Sequence, residues 1–416
     1  MTYRADLHLH SSFARGTSPS LSLESMAEWA GMKGIDLLSS ADFTHPVWLA
    51  ELKSKLVADD EGLFTLSGSP PDGPLFILGT ELSCVYQQEG RTHRLHLLVF
   101  APDFAAVDRL CAVLGRYGSL PSDGRPILKL SGRDVVEIAL SADPRCEVVP
   151  AHAWTPWYSV YGSKGGFDSL AECFGDMLPH VHAIETGLSS DPSMNWRVPE
   201  LDGLSIISFS DAHSVQRMGR ELTMFAGEPS YDGFRSALTQ GRLAQSGIEY
   251  TVEFYPEEGK YHYDGHRKCG VCQHPAVTME QGEQCPVCGR KLTVGVLHRM
   301  EALSRRPEAI EARDGFFRDP TGTRPPFKRL VPLEEVIAGA MGRGVGTKGV
   351  RATYLDLVAR VGDELLVLEE AALDAIEGVA GERVAEAVGR VRRGDVAVSP
   401  GYDGVYGRVS IWPEDE

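Results

Sequence analysis

Long apolar runs are missing from this 416-residue chain: no stretch approaches the ~18 consecutive apolar positions that a membrane-spanning helix requires. Met1 is followed directly by Thr2-Tyr3-Arg4-Ala5-Asp6, which lacks the apolar core of a secretory signal. These two absences read as a cytoplasmic chain. Cysteine is scarce, at eight residues, and half of them fall in two Cys-x-x-Cys pairs. That usage argues against a disulfide framework and for metal binding in a reducing compartment. Positive charge is also short, with 41 Lys+Arg against 58 Asp+Glu and a net charge of −17. Taken globally, such a surface repels polyanions. The shortage is uneven, however: residues 285–351 hold 13 Lys+Arg against 7 Asp+Glu, and residues 352–416 hold 6 against 14. One basic segment therefore sits inside an acidic protein. With 43% hydrophobic and 24% charged residues, the chain can bury a sizeable core. Its length suits two to three domains at about 150 residues each.

Residues 1 to about 248 alternate short apolar runs with helical patterns, the rhythm of βα units. The expected strands are 5–10, 36–40, 75–79, 94–100, 147–151, 182–185 and 204–209. Helices are expected over 22–32, opened by a capping Ser22, and over 134–141. Around 250–266 the periodicity fades into a charged and aromatic stretch, which marks a boundary. From Val331 onward the pattern is helical with glycine interruptions.

Asp6-Leu7-His8-Leu9-His10 alternates polar and apolar residues, so on a strand Asp6, His8 and His10 share one face. A strand with chance histidines is the bland alternative, and recurrence speaks against it. Asp42, Glu81, His152, Glu185, Asp211 and His213 each sit at or just beyond the carboxyl end of an expected strand, where α/β barrels assemble active sites. His96 is a further candidate, with a core histidine as its alternative. Imidazoles converging with carboxylates suit transition metals such as Zn or Fe. Clustered divalent ions activate water near neutral pH and neutralise a phosphoryl group, so phosphoester hydrolysis is the natural reaction class.

Cys269-Gly270-Val271-Cys272 and Cys285-Pro286-Val287-Cys288 have the spacing of a closed, structural zinc site of four thiolates. Cys84, Cys111, Cys146 and Cys173 read as core residues. Farther on, Gly342-Arg343-Gly344-Val345-Gly346-Thr347-Lys348-Gly349 lies between two helical stretches and resembles a helix-hairpin-helix motif, whose free amides grip a DNA phosphate. A second approximate copy runs from Ile376 to Ala385. Paired helices with a tight glycine turn and no ligand are the alternative for both. Trp154 and Trp157, followed by the loop 162–167 with Lys164, Gly165 and Gly166, could stack an extruded base and approach a phosphate. Ordinary packing of those tryptophans is the competing reading.

In order, Asp6-Leu7-His8-Leu9-His10, Asp42, Gly79-Thr80-Glu81, Ala151-His152 and Ser210-Asp211-Ala212-His213 resemble the motifs of the polymerase and histidinol phosphatase (PHP) superfamily. The resemblance implies a distorted seven-stranded βα barrel that holds up to three metals and cleaves phosphoesters. Two positions depart from the pattern: Asp42 is followed by Phe43, with His45 the nearest histidine, and residues 11–15 supply no further ligand. Over essentially the whole chain, the succession of barrel, cysteine module and hairpin-bearing helices resembles the endonuclease Q family. Ala41-Asp42-Phe43-Thr44-His45-Pro46, Ala151-His152-Ala153-Trp154-Thr155-Pro156-Trp157 and the loop 162–167 carry that likeness. It implies a DNA repair enzyme that nicks 5′ to deaminated bases (uracil, hypoxanthine, xanthine) and at abasic sites.

The resulting expectation is an α/β chain with a PHP-type barrel over 1–248, a zinc-ribbon-like module over 249–300 and a helical DNA-binding domain over 301–416. His8, His10, Asp42, Glu81, His96, His152, Glu185, Asp211 and His213 would hold metal, with Asp211, His213 and Glu81 carrying catalysis. Cys269, Cys272, Cys285 and Cys288 would hold structural zinc. Trp154, Trp157, Lys164, Gly165, Gly166, Gly344, Gly346 and Lys348 would meet DNA. Zn is expected in the cysteine site and in the barrel cluster, with Mg or Mn as candidates for catalysis. The expected partner is damaged DNA, double- or single-stranded, with a sliding clamp as a further candidate and no membrane. Two other readings stay open at this point: a small-molecule phosphoesterase of the histidinol-phosphatase sort, and a non-catalytic DNA-binding protein.

Overall fold

The computed structural model of the chain describes residues 1–240 and 247–413. Its organising element is a curved sheet. Thr2–Asp6 pairs in parallel with Leu37–Ser39, which pairs in parallel with the long strand Leu75–Gln88. That strand folds back antiparallel on Arg91–Ala101, which in turn pairs with Glu147–Pro150. Ala183–Glu185 and Ser205–Ile207 form a separate parallel pair. A parallel bridge between Leu9 and Ala212 then brings the chain after Ser205–Ile207 back beside the first strand and closes the circuit.

Helices cover the outside. Leu23–Lys33 is opened by a capping box between Ser22 and Ser25, and Gly132–Ala142 by a second one between Ser131 and Asp134. The barrel interior is filled by Ala5, Leu7, Leu37, Ile77, Leu98, Phe100, Val149, Ala151, Ile207 and Phe209. Leu7 and Leu9 are both buried, each contributing roughly 1.5–3 kcal/mol. This fixes the register of His8 and His10, which alternate with them, because a slip of one residue would exchange the faces of the imidazoles and the leucines.

The sheet runs farther than the sequence suggests. Leu222–Ala226 pairs antiparallel with both Thr2–Asp6 and Ile248–Glu253, and Ile248–Glu253 pairs in parallel with Phe327–Arg329. Barrel sheet therefore crosses the boundaries expected at 248/249 and 300/301. The helical region, from Leu333–Met341 to Glu382–Arg393, docks on the barrel through a buried Lys33–Glu364 ion pair (2.6 Å) and through Arg351 stacked 4.4 Å over the Trp29 ring. Among the described residues, no helix is long and apolar enough to cross a membrane.

Candidate active site and metal centre

The Leu9–Ala212 bridge sets His8 and His10 beside Asp211 and His213. Four non-glycine residues around this point have left-handed backbone: Ala41 (φ 56°), Asp42 (φ 37°), His152 (φ 31°) and Asp211 (φ 47°). Such conformations cost free energy unless the surroundings over-determine them, and they concentrate where function fixes geometry. Each follows a short strand, and three of the four, Asp42, His152 and Asp211, carry polar side chains that meet the histidines of the site.

Two ligand groups result, and they share one residue. His8, His10, Glu81 and Asp211 form the first; Glu81, His96 and His152 form the second, with the ligand atoms of each group within 4.8 Å of one another. Glu81 bridges them. One of its oxygens lies 2.7 Å from His96 Nδ1 and 3.1 Å from His152 Nε2, and the other 3.4–3.5 Å from the Nε2 atoms of His10 and His8. His8 tests whether the site fits a metal. Its Nδ1 contacts the Glu185 carboxylate at 2.9 Å, while its buried Nε2 has no hydrogen-bond partner. A carboxylate behind one ring nitrogen and an unpartnered lone pair in front is the arrangement of a metal-ligating histidine. The residues present therefore fit a pair of divalent ions, with Glu81 between them.

The buried carboxylates draw positive charge onto His8 and His10, the charge that a metal ion would supply in its place. Burial would raise the Glu81 carboxyl, yet His96, Arg125 and His8 hold it well below its ordinary value. Burial likewise opposes ionisation of His10, but hydrogen bonds to Asp211 and Asp42 and the field of the carboxylates raise it to about 9. His96 is pushed down by burial to about 4, only partly offset by Glu81, so it is neutral and able to ligate at neutral pH. Asp211 is lowered by His8 and His10 against its burial.

Several expected ligands stand one layer back. Asp42 accepts from the Ser11 main-chain N–H (2.7 Å) and hydroxyl (2.6 Å) and lies 3.3 Å from His10 Nδ1. Its oxygens are engaged in orienting His10, and Gly124 packs so close that a Cβ there would overlap the Asp42 carboxylate. Glu185 lies behind His8 and accepts from the His152 main-chain N–H at 2.7 Å. The His213 ring contacts the Asp211 carbonyl through Nδ1 (2.9 Å), sits edge-on to His10 and belongs to neither ligand group. His45, the substitute histidine of the second motif, stacks 4.3 Å from Phe13. Glu81 and His96 lie inside the long hairpin rather than at strand ends, since Glu81 pairs with Leu98 and Ser83 with His96. The strand-end rule located Glu81 only because the expected strand stopped too early.

Two arginines escaped the sequence reading. Arg125 donates to Glu81 at 3.0 Å from the loop between Asp123 and Pro126. Arg220, half-buried, donates through Nε to the Ser210 carbonyl at 2.9 Å and so holds the Asp211 turn. Neither belongs to a motif; only folding reveals them.

The cysteine module needs one correction. Its convergent ligand atoms belong to His266, Cys269, Cys285 and Cys288, whereas the Cys272 sulfur lies 3.9 Å from the Pro400 carbonyl. Asp264–His266 and Val271–Gln273 pair antiparallel, with Gly265 opposite Cys272 and His266 opposite Val271. His266 and Cys272 therefore project from opposite faces of that ribbon. Cys285 is suited to ligation: against its burial, the Cys288 and Val287 N–H groups hold its thiol down to about 6.

Trp154 is also corrected. It is buried, its indole N–H donates to Asn195 at 2.7 Å, and it stacks on Tyr161, so it packs the core and is not free to stack a base. Trp157 is 42% exposed and meets Tyr261 edge-on. In the glycine loop, Lys164 is exposed and donates its N–H to Pro156, and the Gly165 carbonyl accepts from Arg94. Gly344, Gly346 and Lys348 are exposed at the turn between Leu333–Met341 and Lys348–Arg360. The second hairpin turns at Gly381 between Leu373–Ala380 and Glu382–Arg393.

A cavity of about 300 Å³ adjoins the ligand groups. His152, Asp211, Trp157, Lys260, Tyr261 and Tyr406 are among the residues that line it. Barrel, cysteine module and C-terminal segment thus all contribute to it.

A βα circuit with two ligand groups that share Glu81 at its mouth, a cysteine–histidine cluster and paired helical hairpins defines an α/β protein with candidate metal centres. A family profile described as the MJ0043 C-terminal domain matches residues 332–395. The chain is similar over its whole length to the lesion-specific endonuclease PfuEndoQ from Pyrococcus furiosus, at 29% identity, 96% coverage of that chain and a TM-score of 0.84. It is equally similar to an Endonuclease Q bound to a 27-mer duplex with an abasic lesion at the active site, at 29% identity, 98% coverage of that chain and a TM-score of 0.83. The uncharacterized protein MJ0043 of Methanocaldococcus jannaschii is 33% identical over 276 residues, 63% of this chain, and the match spans only 32% of that larger protein. Over its full length the chain is thus similar, in sequence and in fold, to structures of the endonuclease Q family.

Proposed function

We propose that this protein is a DNA repair endonuclease that nicks the phosphodiester 5′ to deaminated bases, uracil, hypoxanthine and xanthine, and at abasic sites. One observation carries the reading: the 300 Å³ cavity is lined by His152 and Asp211, one residue from each ligand group, so an extruded nucleotide in it would lie against the hydrolytic centre. The relatives' activity supports it, since one is named as lesion-specific and another holds abasic duplex DNA.

His8, His10, Glu81 and Asp211 would hold one ion and Glu81, His96 and His152 a second, with His266, Cys269, Cys285 and Cys288 around a structural zinc. When bound, the barrel ions supply Lewis acidity and charge neutralisation for in-line attack of water on a phosphodiester. The chain's own residues do the rest. Glu185 and Asp42 fix the orientation of His8 and His10, and Arg220 fixes the Asp211 turn. Arg125, half-turned to solvent beside Glu81, offers a cation to the non-bridging oxygens of the scissile phosphate. Gly344, Gly346 and Lys348 present amides and charge to the duplex backbone, a contact that positions DNA without reading its sequence. The free thiols of Cys84, Cys111, Cys146 and Cys173 fit a reducing, cytoplasmic setting.

Asp211→Ala tests the assignment. It is expected to abolish nicking of a uracil-containing duplex while leaving duplex binding, measured by fluorescence anisotropy, largely intact. Retained cleavage would remove Asp211 from the centre.

A further inference from the structure

After the last helix, Glu382–Arg393, the chain does not end on the helical region. It returns to the mouth of the cavity and forms the hairpin Ala397–Ser399/Arg408–Ser410. The tip of this hairpin is clamped to the segment entering the cysteine module. Gly401 N–H donates to Glu257 (2.8 Å), Gly404 N–H to Lys260 (2.8 Å) and Gly407 N–H to Glu258 (3.0 Å), while Tyr263 N–H donates to Gly401 (2.9 Å). Asp403 accepts from the Arg267 N–H (2.7 Å) and the Thr293 hydroxyl (2.6 Å). A Cβ at Gly407 would overlap the Glu257 carbonyl, so only glycine permits this approach. Two large side chains of the tip remain exposed, Val405 at 39% and Tyr406. Tyr406 is 73% exposed, stands on the cavity wall, and has Lys260 Nζ 5.4 Å from its ring centre.

The backbone bonds of the hairpin hold this aromatic ring and a cationic side chain together beside the cavity, a pairing suited to a base and its phosphate. We propose that Tyr406 is the wedge of this enzyme: its ring enters the base stack of duplex DNA at the place vacated by the lesion nucleotide, while Lys260 meets the adjoining phosphate. The inference rests on the endonuclease reading above and assigns Tyr406 to duplex opening, not to the hydrolytic step. Position supports a wedge over a base-holding role. Of the aromatic residues that line the cavity, Tyr406 at 73% is more exposed than Trp157 at 42%, so much of its ring faces what lies outside. Aromatic–base stacking compensates the cost of unstacking, as intercalating side chains do in other DNA-bending proteins.

The test compares the full chain with Tyr406→Ala and Tyr406→Phe on a uracil·guanine duplex and on the same uracil-bearing strand alone, with 2-aminopurine beside the uracil as an optical probe of unstacking. Tyr406→Ala is expected to lower duplex kcat/KM about tenfold or more and to lose the 2-aminopurine signal, with single-strand cleavage changed by less than about twofold. Tyr406→Phe, which keeps the ring, is expected to match the wild type on both substrates. Equal loss on duplex and single strand would mean the ring contacts the extruded base itself and would overturn the wedge. No loss on either substrate overturns it too. If the wild-type chain cuts neither form, the endonuclease reading fails and the wedge with it.

Discussion

Replacing Asp42 with Asn separates a metal ligand from a group that orients one. Asp42 spends one oxygen on the Ser11 N–H and hydroxyl and presents the other to His10 Nδ1 at 3.3 Å. Asn keeps a single acceptor oxygen, so either Ser11 or His10 loses its partner, and the negative charge behind His10 disappears. A lost hydrogen bond to a charged group costs about 1.5–3 kcal/mol. Loss of an outer-layer partner of a metal-bound histidine typically lowers metal affinity about 10–100-fold, and the two figures agree. The expected outcome is a shift of that size in the metal concentration giving half-maximal nicking of a uracil duplex, with kcat restored at saturating Mn²⁺. Asp211→Asn, which alters a residue of the first ligand group, should not be restored. An Asp42→Asn protein of unchanged melting temperature whose activity no metal concentration restores would refute the orienting role and make Asp42 a ligand.

Four shorter predictions follow from the same geometry. Gly124→Ala, by pushing on the Asp42 carboxylate, should reproduce the Asp42→Asn metal shift, read by the same titration. Arg125→Ala should raise KM for uracil duplex more than it lowers kcat, and Arg125→Lys should recover part of the loss. In the cysteine module, Cys272→Ser should retain one zinc per chain by elemental analysis and His266→Ala should lose it; the reverse result would restore the four-cysteine set. Glu258 is raised by burial, and by Glu335 and Glu257, from 4.5 to about 8. Between those values the folded chain keeps a proton that the unfolded chain has released, so this group lowers stability as pH rises from 4.5 toward 8. Glu258→Gln should therefore raise Tm at pH 8 relative to wild type and leave it unchanged near pH 4.5.

The parts of the site that were legible share a cause. His8, His10, His152 and Asp211 follow short, mostly apolar strands closed by polar residues, a local property, and the cysteine pairs stand out by their spacing. The roles of Asp42 and Glu185 were not legible, because a carboxylate that ligates and one that orients a ligand occupy the same kind of position in a motif. Their hydrogen bonds to Ser11, His10, His8 and the His152 N–H decide between them. Arg125 and Arg220 lie far in sequence from the groups they touch. Trp154 misled because an aromatic after a strand looks alike whether it packs inward on Tyr161 or outward. The continuation of the sheet through Ile248–Glu253 and Phe327–Arg329 went unseen because a three-residue strand formed across some 75 residues leaves no periodic trace. For the same reason the return of residues 397–410 to the cavity was invisible.

The measurement closest to the central claim is a denaturing gel of an end-labelled duplex with a single deoxyuridine, incubated with the purified chain and Mg²⁺ or Mn²⁺ beside an undamaged control. The account requires one cut, 5′ to the uracil, in the damaged strand alone. Both duplexes left intact by a metal-loaded chain, or both cut alike, would contradict it.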